Sequence, residues 1–246
     1  TAAHCVDGGR TSSNVEVTTG IADLSLVGQQ DRMQVKKIHI HDGYLSDPLT
    51  HDLALLELST PVISSEASWL PWETNIQLPL DGTEIKTAGW GSTIAGKDEK
   101  ETILREAQGS ILFNPATNRC GEWSTFDPSQ WLCVGGTENV GSCLGDGGGP
   151  VTAGSVLPVL LGVIAWGPVG DCASTRLPNV AVRLSTYNDW ITQRVGNPWK
   201  KAEGITWFTH AIKNLQVGHN YDFFVTAHDQ LGRRSESVSV NITVKD

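Results

Sequence analysis

Three stretches of the chain hold residue types that can do chemistry: Thr1-Ala2-Ala3-His4-Cys5, His51-Asp52-Leu53-Ala54-Leu55-Leu56, and Gly141-Ser142-Cys143-Leu144-Gly145-Asp146-Gly147-Gly148-Gly149-Pro150. An imidazole takes up and returns a proton near neutral pH. A carboxylate can orient an imidazole, and a glycine-rich turn can bring backbone N–H groups close to a ligand. Five cysteines accompany them: Cys5, Cys120, Cys133, Cys143 and Cys172. None forms a C-x-x-C pair and no paired histidines support a zinc site, so no metal or other cofactor is expected. Two disulfides plus one orphan, Cys5, are the simplest account of the odd count and point to an oxidising compartment. Five reduced thiols are the alternative.

Short strands separated by turns must position these stretches. Val15–Thr19 alternates, and Met33–Ile40 is apolar at Met33, Val35, Ile38 and Ile40 with a break at Lys36-Lys37. Leu53–Leu58 is apolar on both faces and suits a strand buried on both sides. Leu157–Trp166 is a second buried run, punctuated by Pro158 and Gly162. Many short strands with turn signals predict an all-β sandwich or barrel. One helix is expected over Ser185–Val195, with Ser185 as N-cap and Tyr187, Trp190, Ile191 and Arg194 on one face. His39, His41 and His51 read as solvated strand-end residues.

Gly196-Asn197-Pro198 ends the helix and divides the chain. Beyond it, Tyr221–Ala227 and Val238–Val244 alternate, as two strands joined around Asp229–Gly232. Leu215–Tyr221 resembles the tyrosine corner of fibronectin type III sandwiches. Residues 196–246 therefore read as a partial β-sandwich module of that kind, with Trp207, Phe208, Tyr221, Phe223 and Phe224 as half of its core or as a platform for polysaccharide.

Hydrophobic residues make up 39% of the 246-residue chain, enough to bury a core. A net charge of −9 gives the wrong long-range field for nucleic acid or an anionic membrane. No apolar run is long enough for a membrane-spanning helix. The chain opens at Thr1 with neither a basic nor an apolar leader, so no signal peptide is visible.

The three stretches, in the order His, Asp, glycine-rich loop, resemble the chymotrypsin/trypsin-like serine endopeptidases. That family carries T-A-A-H-C at its catalytic His, D-I-A-L-L at its catalytic Asp and G-D-S-G-G-P at its nucleophile. Ala88-Gly89-Trp90-Gly91, Ala165-Trp166-Gly167 and the closing Asp189-Trp190-Ile191 match as well. The resemblance covers residues 1–195 and implies a two-barrel protease domain closed by a helix, with disulfides Cys120–Cys133 and Cys143–Cys172. It makes His4 the general base and Asp52 the group that fixes its tautomer. Backbone N–H groups of the Gly145–Gly147 turn would form the oxyanion hole. Polypeptide substrates or protein inhibitors would be the partners, and the location secreted, or periplasmic.

The departure from the family falls on the nucleophile. Where G-D-S-G-G-P has its serine, this chain has Gly147. Without a nucleophile such a relay keeps about 10³–10⁴-fold rate enhancement over water, which is no activity for a peptide bond. Ser142 lies upstream on a pocket wall and is a poor substitute. The resemblance also implies that the strands preceding the His motif, the partner of Cys5 and the activating amino terminus that pairs with Asp146 are missing. A zymogen-like turn and an open, aggregation-prone sheet edge are then expected. The pocket floor is expected at Gly141, with Ser142, Ala165, Trp166 and Gly167 as walls and Asn179 narrowing the base. A neutral or small apolar side chain would fit. The expected function is a serine endopeptidase homologue, inactive as written; the alternative is a pseudoprotease that binds protein or peptide.

Overall fold

The computed structural model describes residues 1–62, 70–112, 120, 126–136, 140–154, 158–168, 172, 178–195, 220–225 and 238–243. The chain divides into two compact units, Thr1–Ile191 and Thr192–Asp246. The division falls inside the closing helix, a few residues ahead of the boundary expected at 195.

The first unit contains a three-stranded antiparallel sheet and a closed barrel. The sheet has the order β1 (Glu16–Thr18), β2 (Arg32–Ile40), β5 (Ala54–Leu58). Its register slips between Val35 and Lys37, so the break at Lys36-Lys37 is a β-bulge in β2. Beside it, β3 (Leu45–Ser46) and β4 (Leu49–Thr50) form a small hairpin. Leu53 and Ala54 are buried, whereas Leu55–Leu58 are half-buried. Leu55 packs against one core cluster and Leu56 against another, so both faces of β5 are contacted but less completely than its apolar run suggested.

The barrel is built from β6 (Glu84–Gly89), β7 (Arg105–Ile111), β8 (Trp131–Gly136), β9 (Pro150–Ala153), β10 (Val159–Trp166) and β11 (Asn179–Arg183). Its six strands close in the order β10-β11-β8-β7-β6-β9, all antiparallel. Inward-facing Ile85, Ile111, Leu132, Val134, Val151, Leu161, Ile164 and Ala181 fill it. Gly162 lies where β10 crosses β11 closely: a Cβ there would stand 2.6 Å from the Val182 carbonyl. The buried run expected at Leu157–Trp166 is thus strand β10 over Val159–Trp166, with Leu157 outside the described residues. The disulfide Cys120–Cys133 ties residue 120 to β8.

A second core occupies the seam between sheet and barrel. It joins Ala2 and Leu53 to Trp131, Val163, Val180, Val182, Tyr187, Trp190 and Ile191. A 3-10 turn, Leu184–Tyr187, leads into α1 (Asn188–Val195), which supplies the aromatic residues of that seam. Ser185 does not cap the helix. It lies inside the 3-10 turn, and its buried Oγ has no partner among the described residues. Tyr187, Trp190 and Ile191 are buried as their spacing predicted.

His39, His41 and His51 are half-buried rather than solvated. His41 stacks on His51 with ring centroids 4.8 Å apart, and both meet the edge of Tyr187. The left-handed backbone at His51 (φ 48°) turns its ring into this cluster, where Nδ1 lies 3.1 Å from the Tyr187 hydroxyl. His39 faces Glu57 at 3.4 Å.

In the second unit, β12 (Asn220–Val225) and β13 (Val238–Thr243) form an antiparallel pair with Tyr221 opposite Ile242 and Phe223 opposite Val240. The two expected strands are therefore present. Trp207, Phe208, the Asp229–Gly232 turn and most of the expected tyrosine corner lie outside the described residues. No helix among the described residues is long and apolar enough to cross a membrane.

Candidate active site

The His4 motif is a single 3-10 turn, Ala3–Cys5, pinned to the first sheet. Ala2 and Ala3 are fully buried, because only small side chains fit between the turn and the strands behind it. The Ala54 N–H donates to the Thr1 carbonyl at 2.9 Å, which sets the turn beside the start of β5. Asp52, just ahead of that strand, is wholly buried. Its Oδ1 accepts the backbone N–H of His4 at 2.8 Å, and its Oδ2 lies 2.6 Å from His4 Nδ1. Two contacts from one carboxylate fix both the backbone and the ring of His4, so Nε2 is the nitrogen left facing outward.

Gly147 comes from the far side of the seam. The loop that carries it is held by alternating backbone bonds: Gly148 N–H to Ile164 carbonyl at 2.8 Å, and Ile164 N–H to Gly149 carbonyl at 2.9 Å. Gly145 (φ 95°) and Gly148 (φ 83°) take left-handed conformations that other residues resist. A Cβ on Gly147 would stand 2.8 Å from His4 Nε2. The imidazole therefore reaches into the room that a side chain at 147 would take, and nothing grows from that backbone to meet it.

Asp146 is not left unpaired. Its Oδ1 accepts the Gly91 N–H at 2.8 Å and its Oδ2 the Cys143 N–H at 2.8 Å. Gly89 and Gly91 leave room for the carboxylate, since a Cβ on either would overlap it. The turn from Cys143 to Gly149 is thus held by backbone donors. The disulfide Cys143–Cys172 fastens the same loop to residue 172.

Cys5 is a free thiol. Its Sγ lies 3.5 Å from His4 Nε2 and 3.4 Å from the Gly147 carbonyl oxygen. Hydrogen bonding to Asp52, and then to Cys5, pushes the His4 imidazole up to about 10. Burial raises the Cys5 thiol, but the contact with His4 outweighs it and brings the thiol below its ordinary value. While protonated, His4 is an imidazolium held between two acidic partners, with no lone pair left to accept a proton, and it becomes a base only as pH rises through about 10. Sequence reasoning missed this contact. The adjacency of His4 and Cys5 was visible, but not the turn that folds Sγ back over the ring.

A cavity of about 220 Å³ opens beside His4. Gly145 and Gly147 line it, as do Ser142, Ala165, Trp166, Gly167 and Asn179. Trp166 is set by an edge-to-face contact with Trp131, centroids 4.3 Å apart. Most residues named from the sequence therefore converge on one cleft. Gly141 does not: it lines a neighbouring cavity with Asp146, Gly89 and Gly91. Asn179 instead reaches across, donating from Nδ2 to the Ser142 carbonyl at 3.1 Å. Ser142 is buried in the wall by that contact.

The family model described as Trypsin matches residues 1–191. The chain is 32% identical to human Kallikrein-12, an alignment covering 80% of this chain and 76% of that protein. It is 35% identical to human Serine protease 56, over 79% of this chain and 32% of that protein. With Xenopus laevis Trypsin it shares 29% identity over 79% of this chain and 75% of that protein. The chain thus spans about three quarters of two of these relatives and a third of the other. Residues 1–191 belong to the trypsin family of serine proteases.

Proposed function

We propose that this chain is a secreted trypsin-family protein that binds polypeptide in its cleft without hydrolysing it. The observation that carries the reading is the geometry at Gly147. His4 and Asp52 stand as a general base and its orienting carboxylate stand in an acyl-transfer relay, with Nε2 pointing at residue 147. Residue 147 has no side chain, so no hydroxyl is there to be deprotonated and no acyl intermediate can form on it. The backbone N–H groups of Gly145 and Gly147 would still polarise a bound carbonyl. Polarisation without a nucleophile binds a peptide but does not break it.

The cleft is otherwise furnished for a polypeptide. Ala165-Trp166-Gly167 ends strand β10 beside the pocket and offers backbone for an extended chain to pair with. Two disulfides suit an oxidising compartment. The proposed protease domain runs over 1–195 and the partial fibronectin type III-like module over 196–246, the latter supported by the alternating β12–β13 pair. A polysaccharide contact through that module has no supporting observation.

The experiment uses fluorescein-labelled casein, a loosely structured polypeptide, with this chain and with Gly147→Ser. This chain should raise the anisotropy of the label and release no fragments. Gly147→Ser should gain hydrolysis as pH is raised through about 10, where His4 becomes a base, once its ring yields the few tenths of an ångström that a Cβ needs. Cleavage by this chain would overturn the inactivity, and absence of binding by both proteins would overturn the cleft as a polypeptide site.

A further inference from the structure

We infer that His51 is a positioning residue: clamped by Tyr187 and His41, it holds the turn that aims the Asp52 carboxylate at His4. The inference concerns the His4–Asp52 pair and stands whether or not the cleft binds polypeptide.

Both oxygens of Asp52 are committed to His4, one to its backbone N–H at 2.8 Å and one to Nδ1 at 2.6 Å. A charge-assisted contact that short depends on direction, and a carboxylate swung aside would lose it. The direction is set by the backbone. Asp52 is the corner of a three-residue turn in which the Leu53 N–H donates to the His51 carbonyl at 2.7 Å. His51 enters that turn with φ 48°, and it is the only non-glycine residue with positive φ among the described residues. Most L side chains resist this conformation because Cβ crowds the following carbonyl; asparagine and aspartate resist it least. A histidine stays there only when its surroundings hold it.

Three features supply that hold. His51 Nδ1 lies 3.1 Å from the Tyr187 hydroxyl. Its ring stacks on His41, centroids 4.8 Å apart. Gly43 leaves the ring its room, since a Cβ there would stand 2.8 Å from His51 Cδ2. The supports are themselves fixed. The His41 N–H donates to the Leu53 carbonyl at 2.9 Å, and its Nδ1 accepts the Gly43 N–H at 3.1 Å. Tyr187 is buried in the seam, on the 3-10 turn that precedes α1, and does not line the cavity beside His4. The closing turn of the domain therefore reaches Asp52 through one hydroxyl and one imidazole. Packing alone would ask only for an aromatic ring at position 51. A hydrogen-bonding side chain on a left-handed backbone is a narrower requirement, and asparagine meets it as histidine does.

The test follows the His4 ring by NMR titration in this chain, His51→Asn, His51→Val and Tyr187→Phe, with Gly162→Ala as a control destabilised within the barrel. Thermal unfolding is recorded for each. The groups in contact with the His4 ring, Asp52 and Cys5, are left in place throughout. His51→Asn should keep the midpoint near 10, because asparagine accepts the left-handed backbone and offers a carboxamide to Tyr187. His51→Val should lower the proton affinity of His4 at least about tenfold, and Tyr187→Phe by a smaller factor. Gly162→Ala should lose stability without moving the midpoint. A His51→Val midpoint that moves no further than that of Gly162→Ala would overturn the inference. So would a His51→Asn midpoint as low as that of His51→Val. Should His51→Val fail to fold, Tyr187→Phe decides: a lowered midpoint supports the inference and an unmoved one overturns it.

Discussion

At the scale of residues, the structure pairs a buried carboxylate, Asp52, with the ring of His4. The Asp52 carboxylate is buried and His4 shields it, so each needs the other. A histidine whose pKa is raised by folding contributes stability that is complete below its unfolded value, near 6.5, and lost as pH rises through about 10. Denaturation midpoints should accordingly fall between pH 7 and 10. An NMR titration of the His4 ring should show its midpoint near 10, and a lower one in Cys5→Ser. Asp52→Ala should cost about 3 kcal/mol in urea unfolding, because it strands the His4 N–H and removes the imidazolium's partner. The identities of these residues were legible from three short motifs. The state of His4 was not, because it depends on Cys5 Sγ coming back to Nε2, a matter of one turn's dihedral angles. Asn179 was legible as narrowing the pocket base, but its bond to the Ser142 carbonyl, between residues far apart in sequence, was not.

At the scale of elements, strands were read well where their patterns were local. β10 was evident from its apolar run, and the break in β2 from the paired lysines, though not that the break is a bulge within one strand. Burial of β5 was overestimated, because the number of layers above a strand is a property of the whole sheet and not of Leu53–Leu58. The Ser185 cap failed for a related reason: Tyr187 must reach the seam, and a tighter 3-10 turn delivers it there before α1 begins. Two elements carry direct tests. Gly162→Ala would drive a Cβ against the Val182 carbonyl, at 2.6 Å, and pry β10 from β11. It should lower stability by about 2 kcal/mol in chemical denaturation. The Cys143–Cys172 disulfide closes a loop with a sequence separation of 29 around the glycine-rich turn. Replacing both cysteines by serine should cost about 3 kcal/mol and weaken peptide binding, as read by the unfolding midpoint and the same casein titration.

At the scale of the molecule, one closed barrel and one three-stranded sheet meet at a seam, and the site is made of what each contributes. The sheet side brings His4 and Asp52, and the barrel side brings Gly147, Trp166 and Asn179. The division of labour was readable from the order of motifs, because the family's chemistry requires that groups from both halves converge. The closure of the barrel in the order β10-β11-β8-β7-β6-β9 was not, since strand order is set by non-local pairing. The central claim is that this convergence brings together a base, its orienting acid and a binding cleft around residue 147, which has no side chain to serve as nucleophile. Incubation with diisopropyl fluorophosphate, read by intact mass, tests that claim most directly. The account predicts an unmodified mass for this chain and a single phosphoryl adduct on residue 147 of Gly147→Ser. A stoichiometric adduct on this chain, accompanied by ester hydrolysis, would contradict it.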